Sequence, residues 1–125
     1  SPSEVGTSRA AMRAALAASP RGIDDLPLAV QTWVCLGTDD HDAIARLTRS
    51  QHFRRQQHIA GKGTETLIEE FRRSNLLGSV DTVVHGIRAY RDAGVDHLAL
   101  IFLGDTVDGV VEDAETIAAA ANSAR

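Results

Sequence analysis

Cysteine is nearly missing from this 125-residue chain: Cys35 is the only one. A single thiol closes no disulfide framework and supplies no pair of metal-ligating cysteines. Long apolar runs are missing too. No stretch reaches the roughly 18 residues a membrane helix needs, and the opening "SPSEVGTSRAAMR" has no apolar core of the kind a secretory signal carries. The cytoplasm is the expected compartment, with no membrane partner. Positive charge is in deficit, with 13 Lys and Arg against 17 Asp and Glu, a net charge of −4 and a pI near 5.6. Neutralising phosphates supplies most nucleic-acid affinity, so this balance excludes a general nucleic-acid binder. The one basic cluster, "HFRRQQHIAGKG" (52–63), holds a single aromatic residue and no interleaved stacking pattern.

What remains is a globular composition. With 43% hydrophobic and 24% charged residues the chain reads as one folded domain spanning 1–125, large enough for a core of its own. The stretch "LLGSVDTVVHGIRAYRDAGVDHLALIFLGDT" (76–106) is the most informative. Val80, Val83, Val84, Ile87 and Tyr90 recur every three or four residues and form one helical face, while Asp81, Arg88, Arg91 and Asp92 fall elsewhere. Ser79 is placed to cap the helix start, and Gly94 to end it. The continuous apolar run Leu98 to Leu103 then predicts a parallel strand buried on both faces.

One kind of junction occurs three times, in "CLGTDD" (35–40), "LLGSVD" (76–81) and "FLGDTVD" (102–108). Each places Leu-Gly before a small polar residue and acids. Glycine makes the tight exit from a strand, the polar residue caps the next helix, and carboxylates complement its positive end. Helices are therefore predicted near 4–18, 39–55, 64–73, 80–93 and 107–122, and strands near 27–36, 75–78 and 95–103. The class is α/β, built of βα units with parallel strands.

The run "GSVDTVVHGIRAYRDAGVDHLALIFLGDTVDGVVEDAETIAAA" resembles the C-terminal end of luciferase-like monooxygenases, and "LPLAVQTWVCLGTDDHDAIARL" resembles the strand and acid-capped helix that precede it there. Val80 stands where that family commonly has Pro, and Thr82 where it has Glu. The resemblance implies the last βα units of a (β/α)8 TIM-like barrel, with strands adjacent in chain order. It also implies an oxidoreductase that uses reduced FMN or the deazaflavin F420 on a small organic substrate. A complete barrel takes about 250 residues, so the expected partner is the N-terminal half of the barrel, which holds much of the cofactor pocket, or a second copy of this chain. The other expected class is a non-catalytic relative that self-associates as a structural or binding module.

Active sites of barrels lie at the C-terminal ends of the strands. The resemblance thus makes Gly78 and Ser79 candidate cofactor contacts, the alternative being a plain turn and cap. Gln31 and Thr32 interrupt an apolar strand, and each is a candidate cofactor contact or a buried hydrogen-bonding group. Trp33 is either a flavin-stacking residue or core. Arg55, with Arg54, His58 and Lys62, falls in a segment expected to be loop-like, where the family's mobile arm offers a cation to an anionic substrate; a solvated basic helix end is the alternative. "DDHD" (39–42) opens a helix and is not expected to hold metal, Glu112, Asp113 and Glu115 read as a solvated face, and "GKGT" (61–64) lacks the glycine and the preceding strand of a phosphate loop. No catalytic residue is singled out.

Overall fold

The computed structural model describes residues 1–17, 19, 20, 22 and 26–123. Their elements run α1 (Pro2–Ala15), β1 (Ala29–Leu36), α2 (Asp40–Arg49), α3 (Gln51–Ala60), α4 (Thr64–Ser74), β2 (Leu76–Gly78), α5 (Val80–Asp92), β3 (His97–Phe102) and α6 (Val107–Ser123). The expected end of the first helix at residue 18 lies outside the described residues.

Side-chain caps fix most helix starts, α4 behind Gly63 being the exception. The Asp39 carboxylate accepts from the Asp42 N–H at 2.7 Å to open α2, and the Ser79 hydroxyl accepts from the Thr82 N–H at 3.4 Å to open α5. Ser50 has extended backbone and serves twice, ending α2 and capping α3 through a bond from the Phe53 N–H at 3.1 Å. The single helix expected over 39–55 is therefore two. The basic segment expected to be a loop is largely helical, with Arg54, Arg55 and His58 on α3 and only 61–63 between helices.

The three strands are parallel, as expected, but their order is β2-β1-β3. The expected adjacency in chain order is corrected: β1 lies between β2 and β3 and is paired on both sides. Cys35 is level with Leu77 on one side, and Thr32 with Leu100 on the other. A clamp at the sheet's N-terminal end helps decide this. The Leu28 carbonyl accepts from the N–H groups of Asp96 and His97, while the Asp96 carboxylate accepts from the Leu28 N–H at 2.7 Å.

Side chains alternate across β1, so each face builds its own core. Val34 and Leu36 pack with Leu76, Val83, Val84 and Ile117 beneath α5 and α6, with Val5 of α1 against them. Cys35 packs with Leu77, Ala43, Leu47, Phe53 and Phe71 beneath α2, α3 and α4. Helices thus cover both faces, whereas in a barrel one face of the sheet points to a helix-free interior. The strand β3 departs from its expected burial. Leu98, Leu100 and Phe102 pack into the α5–α6 side, but Ala99 is exposed and Ile101 half-buried, because the layer of α2 to α4 lies over β1 and β2.

Candidate functional site at the C-terminal edge of the sheet

Parallel strands bring the three glycine exits to one edge. The Gly37 N–H donates to the Gly78 carbonyl at 3.0 Å, and the Leu103 N–H donates to the Val34 carbonyl at 2.8 Å, so both ladders continue into the loops. From this edge the chain leaves β1 into α2 on one face and leaves β3 into α6 on the other. Neighbouring strands whose following helices diverge leave a crevice between them, and open α/β sheets bind ligands at such a point.

A crevice of about 520 Å³ opens there. One wall is α2, contributing Asp42, Arg46 and Arg49, with Ser50 at its end. The other is the start of α6, contributing Gly109, Glu112 and Asp113, and the floor is the β3 exit from Leu103 to Thr106. The walls differ in charge: two guanidiniums outweigh one carboxylate on α2, while Asp105, Glu112 and Asp113 face them. Arg46 is committed to Asp42 at 3.0 Å. A hydrogen bond from the Thr38 N–H, with Arg46 beside it, holds the Asp42 carboxyl below the usual carboxylate range. Arg49 makes no ion pair among the described residues. Burial, aided by the neighbouring Glu112, pushes the Asp113 carboxyl up, with Arg46 pulling the other way. Thr106 caps α6 by accepting from the Gly109 N–H at 3.1 Å.

The residues singled out by sequence fall mostly outside this crevice. Gly78 and Ser79 lie on the same edge at the start of α5, where Asp40 already supplies an anion: its carboxylate accepts from the Ser79 N–H at 3.3 Å and the Thr82 hydroxyl at 3.4 Å. Gly78 has φ +147, and a Cβ there would come within 2.6 Å of the same carboxylate oxygen, so glycine is required for the fit. Thr32 is buried in mid-strand. Its hydroxyl reaches the Ser74 carbonyl at 3.4 Å and the Asn75 side-chain oxygen at 3.5 Å. Gln31 is exposed beside it. Arg55 is exposed on α3 and does not line the crevice, and Lys62 is paired with Glu70 at 2.6 Å.

Trp33 is half-buried and lies against His52, ring centroids 4.4 Å apart and tilted by 34°. His52 in turn borders a smaller cavity of about 210 Å³ near the start of β2, together with Phe71 and Asn75. "DDHD" is divided among local tasks, with Asp39 capping α2, Asp40 accepting from the N–H of the α5 cap residue Ser79 and Asp42 pairing with Arg46. Among the described residues no group of three or more His, Cys, Asp or Glu is arranged to hold a metal ion, and no helix is long and apolar enough to cross a membrane.

Sequence reasoning passed over Arg46, Arg49 and Asp105, and set Glu112 and Asp113 aside as solvated surface. The legible signal was the β3 exit "LGDT", but its counterpart on α2 becomes a counterpart only once β1 and β3 are known to be neighbours. No protein-family model matches the chain, and no curated protein matches it in sequence.

Proposed function

We propose that the chain binds a small organic molecule in the crevice between α2 and α6, and that it does so as the C-terminal part of a luciferase-like oxidoreductase. In that reading reduced FMN or F420 acts on the substrate, and the cofactor is held jointly with a second polypeptide that docks on the sheet with its β1–β3 pairing intact. The observation that carries the proposal is the gathering of all three strand exits on one edge beside a crevice of about 520 Å³. The oxidoreductase chemistry rests on the sequence resemblance. Within this chain the crevice residues bind and orient; Arg46 and Arg49 offer donors in a fixed fork, and Thr106 offers a hydroxyl.

A second reading is favoured by the strand order. Three strands in the order β2-β1-β3 with helices on both faces form a layered unit without a barrel half, which suits a binding module that associates with its own copies. A barrel with strands in chain order would place β3 beside β2 in place of β1 and would remove the crevice, so the crevice itself belongs to the layered arrangement.

Titrating FMN and F420 into the purified chain, followed by the amide NMR signals of Gly104, Asp105, Thr106 and Gly109, tests the main proposal. Weak binding that moves these amides is expected, since the family's phosphate contacts lie upstream. A saturating cofactor that leaves them unmoved, or submicromolar binding to a proven monomer, overturns it.

A further inference from the structure

The two walls of the crevice carry opposite charge, and this restricts what fits between them. The α2 wall presents Arg46 and Arg49 one turn apart, and Arg49 has no ion pair among the described residues. The α6 wall presents Glu112 and Asp113, with Asp105 at its foot and no cation on that wall. A purely anionic ligand would meet Arg49 but also three carboxylates. A purely cationic one would meet the carboxylates but also the guanidiniums. Either costs like-charge repulsion on one side, and such repulsion is what excludes wrong ligands.

We propose that the crevice is a site for a small zwitterion, an amino-acid-like molecule whose carboxylate lies on Arg49 and whose ammonium lies among Asp105, Glu112 and Asp113. The proposal rests on the reading of this crevice as a ligand site and adds the class of ligand. Two further features agree. A guanidinium accepts a carboxylate through two parallel hydrogen bonds, so Arg49 orients the ligand as well as attracting it. Asp113 is half-buried with its carboxyl pushed up by desolvation, a cost that an arriving ammonium offsets.

The test is a titration of the folded chain with glycine, β-alanine, 4-aminobutyrate and 6-aminohexanoate, with propionate and propylamine as single-charge controls. Binding is read from the Gly104, Asp105, Thr106 and Gly109 amides. The best amino acid is expected to bind about tenfold or more tighter than either control, with an optimum chain length that reports the spacing of the walls. Arg49→Gln should reduce it to the level of propylamine, and the double variant Glu112→Gln, Asp113→Asn to that of propionate. All three positions lie away from the cores, and unchanged thermal unfolding of each variant confirms an intact fold. Propionate or propylamine binding as tightly as the best amino acid overturns the zwitterion while leaving the crevice a ligand site. If no compound in the series moves the crevice amides, the ligand-site reading falls with it.

Discussion

At the scale of single residues, the contact between Trp33 and His52 provides a built-in probe, because Trp33 is the only tryptophan. His52 is partly desolvated by the helices around it, and Arg55 adds a repelling charge; both disfavour the imidazolium and lower its pKa from 6.5, burial more than Arg55. A group whose folded pKa is depressed contributes stability that is present above its unfolded pKa and lost as pH falls through the folded one. Tryptophan fluorescence followed on acidification should therefore change with a midpoint below 6.5, a change missing from His52→Gln. Arg55→Gln should raise the midpoint without restoring it fully, since burial remains. A midpoint at or above that of an unstructured histidine would contradict the desolvated stack. The action of Arg55 on His52 was not legible in the sequence, where Arg55 stood only as a candidate substrate contact. His52 lies one helical turn away in sequence, and only the helical state of α3 puts the two side by side.

At the scale of elements, most starts and stops were written locally. Ser79 and Gly94 bound α5 as their chemistry requires, and the Leu-Gly exits mark the ends of all three strands. The break at Ser50 was missed because α2 and α3 are both amphipathic, and their junction carries neither Gly nor Pro, the usual signs of a stop. Ser50 makes the break by side-chain chemistry: its hydroxyl donates to the Leu47 carbonyl at 2.7 Å and accepts from the Phe53 N–H at 3.1 Å, in a buried position. Ser50→Ala removes both bonds and the cap of α3, and should cost about 1 to 2 kcal/mol in urea unfolding. Ser50→Thr keeps the hydroxyl and should recover part of that loss. A stability unchanged in Ser50→Ala would show that packing of Leu47 and Phe53 alone sets the angle between the helices. Strand order is different in kind from these local signals. An apolar run of residues says that a strand is buried but not which strand lies beside it, and the crevice exists only because β1 and β3 are neighbours.

At the scale of the whole molecule, the order β2-β1-β3 changes which backbone is left unpaired. Adjacency in chain order would leave β1 and β3 as the open edges, whereas β1 pairs with β3 over Ala29–Val34 and with β2 over Val34–Leu36, and the edges are β2 and β3. The β2 edge is three residues long, too short to template much pairing. β3 is six residues long, and "HLALIF" contains neither the lysine nor the proline that commonly guards an edge. Its face toward the α2–α4 side is also incompletely covered, at Ala99 and Ile101. Pairing of β3 with another strand would satisfy its free N–H and C=O groups and bury that face in one step, and a second copy of the chain brings the same edge by symmetry. Light scattering on the folded chain should therefore give a mass above that of the 13.4 kDa monomer, falling toward it on dilution. Ile101→Lys places a charge on the open face of β3 without touching either core and should shift the protein to monomer while its unfolding stays cooperative. A monodisperse monomer for the unaltered chain would show that solvent satisfies the β3 edge and would remove the case for a partner there. An associated species that Ile101→Lys leaves intact would move the interface away from β3, leaving the exposed side chains Ile59, Val107 and Val111 on α3 and α6 as the surface to alter next.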